Sequence, residues 1–500
     1  MKRFVFIFAV LALLAQAAAA KPTLHAALGS DAKSLDPLRA VDSISFLVTK
    51  HINETLVTVD GETRQLVPVL AEKWEIPDPL TYVFYLKKGV RFHNGEELTA
   101  DDVIYSFQRV AKSAKQAARY LDPERFEVRD RYTAVIRTKT PWGGFLESMK
   151  NPYASIFCRK TSEGSEESLV RNPAGTGPFV LNKWIKGERI DLTAFDGYHG
   201  AKPNFDAITF LVVPDDSSRV IALETGKADL TFALPTSDLE RLGEHNAKGA
   251  RGVRTPGLNV FYLGFNTTKG ALADVRVRKA IDAAIDKNVY AQVVYQGNAR
   301  TPLGLLVPAS TFTPESGYQE QFDPAKARAL LKEAGCENGL DLELWTTSNQ
   351  DRINGATVIQ SMLADVGIRV KVINLEPGLF YDEIVKGRHD LVLGNWGMQT
   401  NRDAGSFWAS LLHSTTIGST NWFFLNDSVI DEQLDRANGS VDPAVRTEAL
   451  YAVWKRLGEL RPAVALTVPD ELYGASERLS GVENFRDGRI NYLGVLELKP

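Results

Sequence analysis

Cysteine is scarce in this 500-residue chain: only Cys158 and Cys336 occur, far apart in the sequence. A disulfide between them would require proximity that spacing cannot show, and two separate thiols are expected. Histidine is scarce too. The seven residues His25, His51, His93, His199, His245, His389 and His413 include no pair at the i, i+2 or i, i+4 spacing that offers adjoining metal ligands. No metal or other cofactor is therefore expected. The sequence lacks a Gly-x-Ser-x-Gly elbow, a His-Glu-x-x-His helix, a Cys-x-x-Cys pair and a phosphate-cradling Gly-x-x-x-x-Gly-Lys loop. The acid pairs Asp101-Asp102 and Asp215-Asp216 read as helix-start or turn residues. An enzyme would have to assemble its site from distant residues, and none is expected. Basic blocks are absent as well, with 58 Lys and Arg against 62 Asp and Glu, which excludes a nucleic-acid partner. After the first twenty residues, no run of about eighteen apolar residues could span a bilayer.

What is present begins with an export signal. Lys2-Arg3 start it, Phe4 to Leu14 supply a short apolar core, and Ala18-Ala19-Ala20 form a small-residue cleavage site. Cleavage after Ala20 removes two basic residues and takes the net charge from −4 to −6. No cysteine follows the cut, so a lipid anchor is not expected and the mature protein should lie free in the periplasm or be secreted. Its length favours two or more lobes over a single core.

Hydrophobic periodicity predicts a strand at 23–28 and a helix at 44–56. A strand follows at 82–86, with turn signals at Lys88-Gly89 and Asn94-Gly95. Thr99-Ala-Asp-Asp102 then opens a helix with a capping signature. Gly175-Thr-Gly-Pro-Phe179 lacks the strand and helix of a dinucleotide fingerprint and reads as the entry to a strand pair. Strand, helix and strand at 208–213, 218–226 and 229–232 indicate a mixed α/β lobe. A second such lobe shows helices at 274–285, 324–334, 353–366 and 380–387, with strands at 340–346, 368–373 and 391–393. A late helix covers 442–460, and Tyr473 with residues 479–496 returns to the first lobe.

Several strings carry a family resemblance. They are Leu35-Asp36-Pro37, Leu70-Ala-Glu-Lys-Trp74, Leu86-Lys-Lys-Gly-Val-Arg-Phe-His-Asn-Gly95 and Leu98-Thr-Ala-Asp-Asp-Val-Ile-Tyr-Ser-Phe107. Gly175 to Phe179, Phe265-Asn266, Asp274-Val-Arg-Val-Arg-Lys-Ala-Ile281, residues 342–371 and Leu411-Leu-His-Ser414 follow in order. Together they resemble the extracytoplasmic solute-binding proteins of peptide and nickel ABC importers, solute-binding family 5. The resemblance implies a two-lobed α/β periplasmic-binding-protein fold of the type II, "Venus flytrap" kind, with an extra domain inserted in the first lobe. Residues 21–55, 176–260 and 474–500 would form lobe I, 56–175 the inserted domain and 261–473 the other lobe. The lobes would hinge near 254–265 and 468–474. It further implies capture of a di- or oligopeptide and delivery to an inner-membrane permease with cytoplasmic ATPases, by a monomer. A nickel chelate, glutathione, an opine or another small zwitterion is the alternative ligand, and an extracytoplasmic enzyme or chaperone the remote one.

The candidate binding segment is Asp390-Leu-Val-Leu-Gly-Asn-Trp-Gly-Met-Gln-Thr-Asn-Arg-Asp-Ala-Gly-Ser-Phe-Trp408. A short buried strand leads there into glycines, an indole and the pair Arg402-Asp403, a combination that suits a crevice wall, although a plain surface loop would also explain it. The resemblance implies that Asp403 receives a peptide ammonium. Where relatives often carry Gly-Asp-Ala-Asp, this chain has Arg402-Asp403-Ala404-Gly405, so Arg402 would pair with Asp403 or meet a ligand carboxylate. Trp396 would stack on the ligand or cover the core. Arg352, between a strand and the next helix, is a candidate carboxylate fork or a surface arginine. Asp42 and Ser43, before the first helix, occupy a loop that pairs with an extended ligand backbone in related proteins.

Overall fold

A computed structural model describes residues 21–39, 42–60, 65–113, 117, 120–243, 249–398, 401–486, 488 and 491–499. The expected export signal lies outside the described residues. Three sheets organise the chain, each with its own core.

The first lobe is a seven-stranded sheet. Its order is Ala250–Thr255, Glu471–Ser476, Leu230–Phe232, Thr23–Leu28, Ala207–Val212, Arg189–Ala194 and Phe179–Ile185. The predicted strands at 23–28, 208–213 and 229–232 form it, and Tyr473, Leu479, Leu493 and Leu496 bring the C-terminal segment into its core. The other lobe is a six-stranded sheet, ordered Ala299–Arg300, Ala463–Pro469, Asn259–Phe265, Leu391–Gly397, Leu340–Thr347 and Ile368–Leu375. Both faces are covered: Leu391 and Leu393 point into one core and Val392 into another, the period-two alternation of a strand buried on both sides. A third sheet, Ala71–Asp78, Thr81–Leu86, Thr133–Arg137 and Glu127–Asp130, packs on the helix Ala100–Ser113. Cys158 is buried in that third core while Cys336 packs beside the core of the six-stranded sheet, and both are free thiols.

The chain crosses between the two large sheets twice. Residues 256–258 join Thr255 to Asn259, and Asp470 joins Pro469 to Glu471. The crossings touch, because Gly257 lies against the Pro469 carbonyl where no Cβ fits. Asp470 faces an arginine from each sheet, Arg254 at 3.6 Å and Arg300 at 3.4 Å.

The predicted helix at 44–56 stops earlier, as Ser43–Ile52. The reason is the Gly175-Thr-Gly-Pro segment, which crosses its end so closely that Gly175 and Gly177 abut the backbone of His51 and Ile52. His51, fully buried, ties this helix to the C-terminal segment. Its Nδ1 is 2.8 Å from the Leu47 carbonyl, and the Leu493 N–H donates to Nε2 at 2.9 Å. That pattern requires the neutral imidazole, and burial pushes its pKa down to about 3.

Burial likewise lowers His389 to about 4. Both folded-state values lie below the ordinary 6.5, so the unfolded chain takes up these protons first. Stability is therefore present above about pH 6.5 and lost progressively towards pH 4 and below. Urea midpoints measured across this range should fall, and His51→Gln should flatten the decline. An unchanged slope in His51→Gln would rule out His51 as a source.

Candidate functional site

The topology fixes where a crevice can lie. Ala250–Thr255 ends at the first crossing and runs antiparallel to Glu471–Ser476, which in turn runs antiparallel to Leu230–Phe232. Thr23–Leu28 and Ala207–Val212 run parallel to Leu230–Phe232, so their carboxyl ends also face the crossings. In the other lobe, Asn259–Phe265 leaves the crossing and Leu391–Gly397 runs back towards it, with Leu340–Thr347 and Ile368–Leu375 parallel to the latter. Carboxyl strand ends from both sheets thus converge on the gap beside the crossings, the usual ligand position in open α/β sheets.

Arg352 and Trp396 flank one of these strand ends from opposite sides. The strand Leu391–Gly397 runs four residues beyond its predicted end, so alternation places Asn395 on the face of Leu391 and Leu393, and Trp396 on the other. Arg352 belongs to the first turn of the helix Gln350–Ala364, not to the loop before it, because Asn349 caps that helix and accepts from the Arg352 N–H. Its half-buried guanidinium donates to the Leu393 carbonyl at 2.9 Å and to Asn395 Oδ1, and it lies 5.9 Å from the Phe261 ring centre. Among the described residues no carboxylate lies within ion-pair distance of it. Trp396 is half-buried against the core around Trp408 and stands perpendicular to Trp422, with ring centres 6.5 Å apart.

Asp403 and Arg402 depart from the sequence reading. A helix runs from Ala404 to Leu412, and Asp403 caps it, accepting from the Ser406 N–H and hydroxyl at 2.8 Å each. Asp-x-x-Ser is a capping signature, so this signal was present in the sequence. The other carboxylate oxygen pairs with Arg446, 43 positions on, from the helix Pro443–Leu460. Arg402 is not the partner of Asp403. It is buried, its guanidinium donates to the Arg486 carbonyl of the first lobe, and its N–H donates to Glu147 Oε1 at 3.1 Å. Nothing in the sequence singled out Arg446.

Around this pair the third sheet's core meets the second lobe. The Gly143 N–H donates to the Asn438 carbonyl at 2.7 Å, and Asn401 donates to the Ser148 hydroxyl at 3.2 Å. A Cβ at Gly144 would stand 2.9 Å from the Ser406 hydroxyl and 3.0 Å from Asp403 Oδ2. Asp403 is thus sealed within a joint, its charge met by Arg446. On the first lobe, Asp42 also acts as a cap: the Ser45 N–H and hydroxyl donate to it at 2.9 and 2.8 Å. Ser43 is partly exposed in the first turn of that helix. The structure therefore brings Arg352 and Trp396 to one strand end, places Asp42 and Ser43 on the first lobe, and withdraws Asp403 and Arg402 into the joint.

Removing Arg446 should leave a buried carboxylate without its cation. Arg446→Leu is expected to cost about 3–5 kcal/mol in denaturant unfolding. Adding Asp403→Asn should recover much of that loss, because the cap hydrogen bonds survive. Equal destabilisation in the single and double variants would contradict the buried pair.

Comparisons with known proteins agree with this architecture. Residues 65–419 match the family model described as bacterial extracellular solute-binding proteins, family 5 Middle. The chain is 34% identical over 382 residues to the dipeptide-binding protein of Escherichia coli K12, covering 70% of each chain. It is 29% identical over 483 residues to the glutathione-binding protein GsiB of Escherichia coli O1:K1 / APEC, covering 94% of this chain and 93% of that one. Among solved structures, the periplasmic binding protein DppA of Helicobacter pylori with the peptide STSA superposes with a TM-score of 0.80 at 27% identity, over 96% of this chain and 98% of that one. HbpA2 of Haemophilus parasuis superposes with a TM-score of 0.83 at 26% identity, over 96% and 100%. The two lobes, the paired crossings and this match across most of the chain carry one conclusion: the protein belongs to family 5 of the bacterial extracellular solute-binding proteins.

Proposed function

We propose that this protein is the periplasmic binding component of an ABC importer, capturing a short peptide or peptide-like molecule between its lobes and handing it to an inner-membrane permease. It acts by binding and hinge closure, as a monomer, without chemical conversion of the ligand. The observation that carries the ligand class is Arg352. Two neutral acceptors hold its guanidinium at a strand end facing the gap, and no carboxylate among the described residues lies within ion-pair distance. A ligand carboxylate supplies the missing charge in the bidentate geometry a guanidinium favours. Trp396, on the other side of the same strand end, gives an apolar wall for the ligand's body. Asp42 and Ser43 offer the opposing contact from the first lobe, so a ligand touching both sides stabilises the closed form.

Asp403 takes a different role in this proposal. Its carboxylate is engaged by Arg446 and Ser406, and residues 396–402 contain no acidic side chain. Recognition therefore rests on the ligand's carboxylate more than on its ammonium. That feature also supports a second reading, in which the ligand is a glutathione-like or opine-like acid whose carboxylates dominate its charge.

Calorimetry on ligand-free, refolded protein tests both readings. With di- to tetrapeptides, amidating the C-terminus should weaken binding by about 2 kcal/mol or more, whereas N-acetylation should cost less. Arg352→Ala should abolish the difference between free and amidated peptides. Binding of glutathione but of no peptide would select the second reading. Equal binding of free and amidated ligands by the wild type would remove Arg352 from the site.

A further inference from the structure

The Arg352 guanidinium stands where a cation is not held by its own helix. It belongs to the first turn of the helix Gln350–Ala364, and the positive end of a helix disfavours a cation. Two neutral groups of the strand Leu391–Gly397 keep it in place. The strand Leu340–Thr347 pairs with that strand at Leu391 and Val392, and beyond them the Leu393 carbonyl accepts from Arg352 Nη1 at 2.9 Å. Two residues on, Asn395 turns its Oδ1 to Nη2. Asn395 lies opposite Phe261 in the antiparallel pairing, and the guanidinium stands 5.9 Å from the centre of that ring.

A guanidinium carries five N–H donors, and these two contacts use one on each Nη. The Nε–H and the remaining Nη hydrogens have no partner among the described residues, and both Arg352 and Asn395 are partly exposed. An acceptor at 395 is what orients the group, and the charge of that acceptor decides what the free donors meet. Aspartate is isosteric with asparagine and would accept the same bond. It would also complete an ion pair within the protein, as Asp403 does for Arg446.

We propose that Asn395 is a positioning residue that sets the ligand's charge class. Its neutral amide fixes Arg352 and leaves the guanidinium charge for the ligand, so asparagine at 395 selects molecules with a free carboxylate and an acidic residue there would select against them. Asn395 acts in this way only if Arg352 receives the ligand, the reading given above.

Two measurements separate the two claims. NMR of the ligand-free mature chain, made with isotopically labelled arginine, follows rotation of the Arg352 guanidinium about its Nε–Cζ bond. In Asn395→Leu this rotation should be faster by on the order of tenfold, the worth of one lost hydrogen bond. Calorimetry then compares dialanine, trialanine and tetra-alanine with their C-terminal amides. Asn395→Asp should cut the wild-type preference for the free acids by about tenfold or more, and in an Arg352→Ala background it should leave the ratio unchanged. A purely structural Asn395 would give Asn395→Asp the wild-type preference, because shape and acceptor are both kept. The proposal is overturned by that result, by wild-type rotation in Asn395→Leu, or by an equal change of the ratio with alanine at 352. A wild type that binds acids and amides equally would overturn the Arg352 reading itself, and the selectivity assigned to Asn395 with it, whatever the rotation rates.

Discussion

The constraint on which everything else depends is the double crossing between the two large sheets. Because the chain passes at residues 256–258 and again at Asp470, strand directions in both sheets are set relative to the same edge. The strands that run towards the crossings end at the gap between the lobes, and the loops and helix starts that follow them line it. Gly257 against the Pro469 carbonyl keeps the crossings in contact, while Asp470 meets an arginine from each sheet. Burial raises the Asp470 pKa, partly offset by those two cations, and the Asp470 N–H donates to the Asn298 carbonyl at 3.0 Å.

The second determinant is a division of labour among charges beside that gap. Asp403 and Arg446 neutralise each other inside a joint that also contains Asn438 and the glycines at 143 and 144. Breaking such a pair is costly, although forming it contributes little net stability. Its value lies in fixing the helix Ala404–Leu412 and Arg402 before it against the third sheet's core. Arg352 is held by neutral groups instead, the basis on which we propose that its charge serves a ligand. The two guanidiniums differ in whether a carboxylate of the protein lies within reach.

Much of this was legible in the sequence, for identifiable reasons. The buried runs and helical spacings placed most strands and helices of both lobes, and a chain returning at Tyr473 implied a two-crossing hinge. Boundaries failed where tertiary contacts override local pattern. The helix Ser43–Ile52 ends early because Gly175 and Gly177 cross it, and the strand ending at Gly397 runs on because Asn259–Phe265 pairs with it throughout. The family resemblance gives Asp403 a ligand ammonium and its neighbour Arg402 offers a local pair, but neither shows the partner the fold supplies, Arg446. That partner lies on a helix 43 residues away, and a distance of that kind leaves no mark on periodicity.

We propose above that the gap between the lobes recognises its ligand through a carboxylate held by Arg352. A crystal structure of the protein carrying the ligand it retains on purification tests this most directly. A ligand carboxylate paired with the Arg352 guanidinium is expected, with the ligand's body against Trp396 and its far side on the first lobe. A ligand bound there with no carboxylate near Arg352, or with its ammonium buried against Asp403 in place of Arg446, would contradict it.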